Sequence, residues 1–301
     1  MRVLLAGGTG FLGSALTRRL LSRGHQVSLL SRRPSTPTAA PPVFHWDPER
    51  GEFDGNALTG TDAVVNLAGE SLAGRRWTEA RKRALVESRV GATRFLVQRM
   101  AERSARPSAL VSATAVGIYG NRGEEVLTEE SPPGAGFLAD LCRAWEEASL
   151  PARDLGLRVV AARFGIVLDS RGGALASLLP LFRAGLGGAL GNGKQWMSWV
   201  SLPDLAAVLE MALEREDASG VWNVVSPAPV RNRDFARTLG RILKRPAILP
   251  APAFALRLVL GEMADEALLS SACVAPKRLT SLGYRFAFED LDRALRSALR
   301  A

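Results

Sequence analysis

The chain has 301 residues, of which 47% are hydrophobic and 23% are charged. These proportions predict a globular protein with a full core and exclude a largely disordered chain. The two cysteines, Cys142 and Cys273, are too few for a disulfide framework or a metal cluster, so we expect buried free thiols. No apolar run approaches the roughly 18 residues of a membrane span. No secretory signal pattern follows Met1, and we expect a cytoplasmic protein without a membrane partner.

The formal net charge of +9 is compatible with nucleic-acid binding through phosphate contacts. The arginines, however, recur singly along helical patterns, as at Arg94, Arg99 and Arg103, and form no long basic run. This dispersal favours a solvated surface, so we expect no specific nucleic-acid partner. His25 and His45 alone supply no zinc site, and no metal ligand is predicted.

The first elements in chain order are a strand, a glycine turn and a helix. Residues 3–13 read VLLAGGTGFLG, and an amphipathic pattern continues to Arg23. In such a segment Gly7 permits the tight turn, Gly10 leaves room for a pyrophosphate, and Gly13 lets the helix pack closely on the strand. The amide-rich N-terminus of the helix favours an anion. The segment therefore predicts a dinucleotide-binding opening.

A second strand, residues 26–30, follows a stop signal at Gly24 and ends just before Arg32 and Arg33. In NAD-selective sites an acidic residue about 20 positions after the glycines binds the ribose hydroxyls, whereas arginine suits the 2′-phosphate of NADP. Arg32 stands 19 residues after Gly13, and no acid is adjacent. Because a guanidinium binds phosphate through paired hydrogen bonds, we predict NADP(H) as the cofactor. An ordinary solvated loop is the alternative.

Strand and helix patterns continue to alternate along the chain. Strand patterns lie at 43–46, 62–69, 109–112 and 158–162, and helical patterns lie at 78–105 and 137–154. This alternation predicts right-handed crossovers and an α/β fold with a Rossmann-type, doubly wound parallel sheet. Ligands of such sheets bind at the carboxyl ends of strands, where we place Asn66, Ser112 and Arg163.

The pattern changes near residue 170. Glycine-rich turns follow from Gly172, and a helix is predicted to begin near Pro203 and Asp204, because Asp204 suits the positive first turn of a helix. We predict an NADP(H)-binding domain over residues 1–170 and a smaller C-terminal substrate lobe with an extension over residues 171–301. Some later segments are expected to return to the first domain.

Further short segments accompany the glycine turn. They are 46–48 (WDP), 66–70 (NLAGE), 88–90 (SRV), 112–113 (SA), 145–146 (WE), 163–168 (RFGIVL) and 276–283. Together these segments resemble the extended short-chain dehydrogenase/reductase superfamily. More narrowly, the chain is similar to an atypical branch, the NAD(P)-dependent epimerase/dehydratase-like proteins of unassigned substrate, with its characteristic C-terminal extension. The resemblance covers essentially the whole chain.

The resemblance implies hydride transfer to or from a nicotinamide. A serine or threonine would orient the substrate oxygen, a tyrosine would exchange the proton, and a lysine would lower the tyrosine pKa from its reference value of about 10. Matching the family's helix at Glu146 puts Cys142 at the lysine position and Leu138 at the tyrosine position. Neither side chain can do this chemistry. The tyrosines lie elsewhere: Tyr119 follows the serine strand, and Tyr284 lies in the C-terminal extension.

These patterns and the resemblance name the candidate site residues. Catalytic candidates are Ser112 and Tyr119, with the 75–77 loop and Lys194 as further proton sources. Candidates for cofactor binding are Gly7, Thr9, Gly10, Phe11, Leu12 and Gly13 for the pyrophosphate, Arg32 and Arg33 for the 2′-phosphate, Asn66, Leu67 and Ala68 near the adenosine ribose and nicotinamide side, and Arg89. For Arg89, contact with a hydroxyl or phosphate and a surface salt bridge both stay open. Trp46 is expected either beside the adenine or in the core.

Three functions stay open at this point. The first is an oxidoreductase or epimerase that acts on an unknown carbonyl or sugar-like small molecule without the usual tyrosine–lysine pair. The second is a non-catalytic NADP(H)-binding redox sensor or regulatory protein, because the cofactor features persist while the acid–base pair is missing. A scaffold role based on the basic charge is the third. We favour a monomer over a homodimer, since amphipathic helices also cover sheets in monomers.

Overall fold

The computed structural model describes residues 1–33, 41–72, 74 and 76–300. The strands are β1 (Arg2–Ala6), β2 (Gln26–Ser31), β3 (Val43–Asp47), β4 (Glu52–Phe53), β5 (Ala63–Asn66), β6 (Ala109–Ala115), β7 (Val126–Leu127), β8 (Arg158–Phe164), β9 (Ile166–Leu168), β10 (Trp196–Met197), β11 (Trp199–Ser201), β12 (Gly220–Val224), β13 (Val230–Arg231) and β14 (Cys273–Val274). The helices are α1 (Phe11–Ser22), α2 (Glu79–Val86), α3 (Ala92–Ala101), α4 (Phe137–Ser149), α5 (Gly173–Arg183), α6 (Leu202–Glu214), α7 (Asn232–Leu243), α8 (Ala253–Leu260), α9 (Lys277–Ser281) and α10 (Leu291–Arg300).

Eight strands form the central sheet in the order β12-β8-β6-β5-β1-β2-β3-β4. Neighbouring strands are parallel except for β3 and β4, which are antiparallel. The chain winds outward from β1 first on one side and then on the other, which confirms the predicted doubly wound sheet. The strand order reverses at β1, and such a switch point leaves a crevice where ligands of this fold bind.

Residues of β1 alternate between two cores because successive side chains of a strand point to opposite faces. Val3 and Leu5 pack in the core that contains Leu16 of α1. Leu4 packs in the core that contains Leu96 of α3. The sheet is therefore covered on both faces, and most residues of its inner strands are apolar.

The helical pattern at 78–105 folds as α2, a π-helical turn over Glu87–Gly91, and α3. Thr78 caps the start of α2, because its hydroxyl accepts a hydrogen bond from the Arg81 amide. The predicted stop after α1 is also present: Gly24 has φ +81°, a conformation that glycine adopts without strain. The start of α2 and the end of α1 could thus be predicted from local sequence, but the π-helical turn could not.

Two strands extend further than the sequence predicted. β6 continues to Ala115 and β8 to Phe164, so Ser112 and Arg163 lie inside strands and the expectation that they end them is wrong. Asn66 does end β5 and pairs in register with Ser112. No glycine or proline interrupts either strand over these residues, and β6 and β8 stay paired up to Ala115 and Phe164.

Segments beyond residue 170 return to the central sheet. β12 forms its edge beside β8, and α6 packs against α1. α6 begins at Ser201, whose hydroxyl accepts a hydrogen bond from the Asp204 amide 3.0 Å away. In the described part of the chain, three two-stranded sheets lie outside the central sheet: β7 with β14, β9 with β11 and β10 with β13. Cys142 and Cys273 are buried free thiols, as predicted. Across the described residues, none of the helices combines the length and apolarity that a bilayer crossing requires.

Candidate functional site

A cleft of about 600 Å³ opens where β1, β2 and β5 end. The predicted cofactor residues in its lining are Gly7, Thr9, Gly10, Arg32, Arg33, Leu67 and Ala68. The predicted cofactor residues outside its lining are Phe11, Leu12, Gly13, Asn66 and Arg89. The cleft thus joins three loops that are far apart in the sequence, as the doubly wound topology requires.

The glycine turn after β1 has the geometry that the sequence predicted. Gly7 has φ +76°, and a Cβ at this position would lie 2.7 Å from the Leu67 carbonyl oxygen. A Cβ at Gly13 would lie 2.2 Å from the Gly7 carbonyl oxygen, so α1 packs directly on the turn. A Cβ at Gly10 would meet only that same oxygen, at 3.2 Å, which leaves its cleft side open to a ligand. Each glycine therefore has a separate steric reason.

The first turn of α1 is ready for an anion. Gly10 precedes the helix without a side-chain cap, and the first turn contains no acidic residue. Its free amides and the helix dipole favour negative charge at this point. The Phe11 side chain instead lies against Gly172, and Leu12 packs on the main core, so these two residues offer a phosphate their backbone amides only.

The loop after β2 places two cations in the cleft. Arg32 and Arg33 are exposed, and the Arg33 amide donates to the Ser31 hydroxyl at 3.1 Å. The sequence expectation of no nearby acid needs correction, because the Arg32 guanidinium lies 4.0 Å from Glu49. Glu49 follows β3 in the chain. It lies at the cleft because β3 pairs with β2 in the sheet. Both side chains of this pair are more than half exposed, so the pair is weak and a phosphate can compete for Arg32.

Trp46 is a core residue that also lines the cleft, and its place beside an adenine stays a prediction. Its ring is 4% exposed and packs 6.4 Å from the Phe95 ring, yet it also lines the cleft beside Asp47. An apolar wall of this kind suits the face of an adenine, and the exposed arginines next to it suit phosphate. This end of the cleft has the chemistry expected for the adenosine of NADP(H).

Asn66 is fully buried and lies behind the cleft. Its amide nitrogen donates to the Thr93 hydroxyl at 2.9 Å, and its amide oxygen accepts from the Ala68 amide at 3.2 Å. These bonds hold the Leu67–Ala68 turn, whose Leu67 carbonyl touches Gly7. Asn66 therefore shapes the cleft as a positioning residue, and its side chain is already satisfied by the protein.

Arg89 lies in the π-helical turn and is only 6% exposed. Its guanidinium donates to the Glu70 carbonyl at 2.6 Å and lies 5.2 Å from the centre of the Trp145 ring. Among the described residues it forms no salt bridge, so the surface salt bridge considered from the sequence is wrong. Glu70, the nearest carboxylate in this loop, pairs with Arg81 instead.

Helix α4 carries the positions at which the family resemblance implies tyrosine and lysine. Leu138 and Cys142 are both buried on one face of α4. Burial raises the pKa of the Cys142 thiol to about 12, so this side chain is neutral at ordinary pH. The structure therefore supplies neither an exchangeable proton nor a positive charge at these two positions.

Tyr119 is fully buried in a polar network behind α4. Its hydroxyl lies 2.9 Å from the Thr128 carbonyl and 2.8 Å from Asn223 Oδ1, and it accepts from Arg163 at 2.8 Å. Arg163 in turn makes two hydrogen bonds to Glu146, at 2.7 and 2.8 Å. Burial raises the pKa of Tyr119 despite the nearby arginine. A hydroxyl so enclosed serves packing, and the geometry gives no support to its predicted role as a proton donor.

The other described catalytic candidates also lie outside the lining of the cleft. Ser112 is 2% exposed, and its hydroxyl has no hydrogen-bond partner among the described residues. Tyr284 donates to Asp204 near α6, and burial raises its pKa. Lys194 is exposed on a loop, and Trp77 donates to the Leu72 carbonyl at 3.0 Å. Arg75 lies outside the described residues.

A second cavity, of about 280 Å³, lies at the N-terminus of α4. It is lined by Leu138, Gly117 and Asn121 on one side and by Arg257 and Glu266 on the other. Sequence reasoning missed Glu266, whose carboxylate accepts hydrogen bonds from the Phe137 amide at 2.9 Å and the Leu138 amide at 2.6 Å. No local pattern signals this contact, because 128 residues separate Glu266 from Leu138.

The fold and the glycine-lined cleft define a Rossmann-type nucleotide-binding protein. Residues 3–225 match the family described as NAD-dependent epimerase/dehydratase, and residues 251–298 match a domain of unknown function, DUF1731. The chain therefore belongs to the NAD-dependent epimerase/dehydratase family. This finding confirms the family that the sequence segments indicated.

Known proteins resemble the chain over its whole length. It is 44% identical over 293 residues to the epimerase family protein Mb2239 of Mycobacterium bovis, across 97% of this chain and 96% of that protein. The crystal structure of human epimerase family protein SDR39U1 (isoform 2) with NADPH has a TM-score of 0.89 and 36% identity, with full coverage of both chains. The nucleoside-diphosphate sugar epimerase of Corynebacterium glutamicum has a TM-score of 0.82 and 36% identity, covering 99% of this chain and 58% of that one.

Proposed function

We propose that the protein binds NADP(H) in the cleft and uses it in a redox step on a small carbonyl or sugar-like molecule held by the C-terminal lobe. The observation that carries the proposal is the joint placement of the glycine turn, the uncapped start of α1 and the exposed Arg32 and Arg33 around one cleft. The similar human protein was solved with NADPH. When bound, the nicotinamide supplies the hydride chemistry.

The residues of the cleft divide the binding task by chemistry. Gly7 and Gly10 leave space for a pyrophosphate beside the turn. The backbone amides at the start of α1 donate hydrogen bonds to this pyrophosphate. Arg32 and Arg33 bind the 2′-phosphate, which is the only chemical difference between NADP(H) and NAD(H). Trp46 forms the wall beside the adenine. The family as a whole includes NAD-dependent members, so the two arginines decide the preference.

Calorimetric titration of the wild type with NADPH and NADH tests the proposal directly. We expect NADPH to bind more tightly, and the double variant Arg32→Ala/Arg33→Ala to lose about 2 kcal/mol or more of NADPH binding, the scale of charged hydrogen bonds. NADH binding should change little in this variant. A matched control is Arg233→Ala/Arg237→Ala, which removes two exposed arginines at α7, outside the cleft lining. Failure of the wild type to bind either dinucleotide refutes the proposal.

A second candidate function is a non-catalytic NADP(H) sensor. It is supported by one observation, the buried Leu138 and neutral Cys142 where the family resemblance implies an acid–base pair. The two functions separate by turnover. An enzyme oxidises bound NADPH when some member of a panel of carbonyl compounds and nucleotide sugars is added, and the nicotinamide absorbance falls. A sensor keeps its NADPH with every compound and changes affinity for a protein partner on binding it.

A further inference from the structure

Arg89 is a buried cation without a counter-ion among the described residues. It is 6% exposed, and no carboxylate lies within ion-pair distance of it. The ionisable groups close enough to affect it are Glu70, Arg81 and Cys142. Glu70 and Arg81 pair with each other, and the Cys142 thiol is neutral, so one positive charge is left over. Burying such a charge is costly, which marks it as a candidate for function.

The hydrogen bonds of Arg89 are incomplete. One terminal nitrogen donates to the Glu70 carbonyl, and the other makes longer contacts of 3.3 Å to the Leu85 carbonyl and 3.4 Å to the Ser88 hydroxyl. The Nε atom is buried and has no hydrogen-bond partner in the described part of the chain. The π-helical turn over Glu87–Gly91 holds the residue, and such turns interrupt α-helices most often at functional sites.

Arg89 lies behind the lining of the cleft, on the side of β1 away from Arg32. It lies against Gly69, where a Cβ would be 3.2 Å from its Cζ atom, and Gly69 follows β5. On its other side is Trp145 of α4, the helix between β6 and β8. Strands β5, β6 and β8 lie on the side of β1 away from β2. A dinucleotide across a switch point has its adenosine on one side and its second nucleoside on the other.

We infer that Arg89 supplies the positive charge at the nicotinamide half of the cleft that the Cys142 position lacks, and that this charge makes the protein prefer NADPH over NADP+. The inference rests on the proposed function. The nicotinamide ring is positively charged in NADP+ and neutral in NADPH. A nearby uncompensated cation in a poorly solvated site repels the oxidised ring only. Arg89 therefore acts as a positioning residue that sets which redox state is held.

The experiment compares NADPH and NADP+ binding in variants of the full chain by calorimetry. Arg89→Gln removes the charge but keeps a donor for the Glu70 carbonyl, and Arg89→Lys keeps the charge. We expect the NADPH-to-NADP+ affinity ratio to fall about tenfold in Arg89→Gln and to stay near the wild-type ratio in Arg89→Lys, the scale of one charge at intermediate dielectric. The matched control is Arg99→Gln, because Arg99 also stacks on an aromatic ring, Phe95, but its charge is paired with Glu102 at 2.7 Å.

A charge-transfer variant separates electrostatics from loop support. In Arg89→Gln/Cys142→Lys the positive charge returns from α4 without the bond to the loop, and we expect the affinity ratio to recover. Adenosine 2′,5′-bisphosphate, which lacks the nicotinamide, should bind equally to all variants. An unchanged ratio in Arg89→Gln overturns the inference, and so does an equal loss of all three ligands, which would assign Arg89 to loop support. Failure of the wild type to bind any of them refutes the proposed function instead.

Discussion

The two ends of the cleft are built on opposite principles. At the end assigned to adenosine, Arg32 and Arg33 are exposed and carry only a weak contact to Glu49, so their donors are available to a ligand. At the end near α4, Leu138 and Cys142 are buried, and the polar groups behind them bond to one another. The proposed dinucleotide end thus offers exposed donors to a ligand. At the positions of α4 where the family resemblance implies proton exchange, the side chains are buried.

The difference between the two ends limits which residues can donate a proton in the proposed redox step. Tyr119, Arg163 and Glu146 satisfy each other behind α4, and buried networks of this kind rigidify a structure. In the proposed redox function, the proton donor for a substrate therefore lies outside this network. The residues proposed to bind the cofactor and the residues of this network are therefore separable by mutation, and the following predictions use that separation.

The largest expected effect is that of Gly7→Ala. It places a Cβ 2.7 Å from the Leu67 carbonyl at φ +76°, so we expect NADPH binding to be lost and the protein to be destabilised. Calorimetry and chemical denaturation measure the two effects. Gly156→Ala is the matched control, since Gly156 has φ +83° but nothing within 4 Å of the added Cβ. Equal effects in both variants would show that backbone strain alone matters and that the turn is not closely packed.

The next largest expected effect is that of Tyr119→Phe in the polar network behind α4. Removing the hydroxyl leaves Asn223 Oδ1 and an Arg163 donor without this partner, so we expect a loss of about 1–3 kcal/mol in the free energy of unfolding. NADPH affinity should be unchanged. Tyr284→Phe, which breaks a hydrogen bond to Asp204, is the control with a similar cost. A selective loss of turnover in Tyr119→Phe would return Tyr119 to the mechanism.

The buried thiol of α4 predicts a pH dependence of stability. The pKa of Cys142 rises from 9.0 to about 12 on folding, because burial disfavours the thiolate. The unfolded chain therefore loses this proton first, and the contribution to stability is complete below about pH 9 and is lost as the pH rises toward 12. We expect Cys142→Ala to reduce the slope of unfolding free energy against pH in this window by up to about 1.4 kcal/mol per pH unit.

Denaturation at pH 8 to 11 measures that slope. Cys273→Ala is the matched variant, with a smaller expected change, because Arg231 counteracts the effect of burial on the pKa of Cys273. A wild-type slope in Cys142→Ala would mean that the α4 thiol is already ionised or exposed. In that case the surroundings of Cys142 on α4 would be more accessible to solvent than the packing indicates.

The smallest predicted effect tests the adenosine end. Glu49→Gln removes the carboxylate 4.0 Å from Arg32, so we expect NADPH affinity to rise about two- to fivefold, as is usual for exposed charge pairs, with no change for NADH. Glu52→Gln is the control, since Glu52 is exposed on the adjacent strand and pairs with His45. Equal gains in both variants would indicate a general charge effect, which added salt would remove.

Local sequence was sufficient for the parts of the fold that depend on near neighbours. The strand, glycine turn and helix at residues 2–22 were predictable because turn geometry restricts Gly7 and Gly13 within a few residues. The doubly wound sheet followed from the alternation of strands and helices. The lengths of β6 and β8 were not predictable, because neighbouring strands, and not a turn signal, extend them to Ala115 and Phe164.

The partners of the charged and polar side chains were decided by tertiary structure alone. Glu49 approaches Arg32, Glu266 caps α4 and Asn223 meets Tyr119 across separations that no sequence window covers. The sequence by itself determined that this chain has a dinucleotide-type opening and lacks the tyrosine–lysine pair, since both follow from residue identities at short spacing. Only the folded structure decided that Arg89 is buried with no counter-ion among the described residues, because burial and charge pairing depend on which distant elements pack around a side chain.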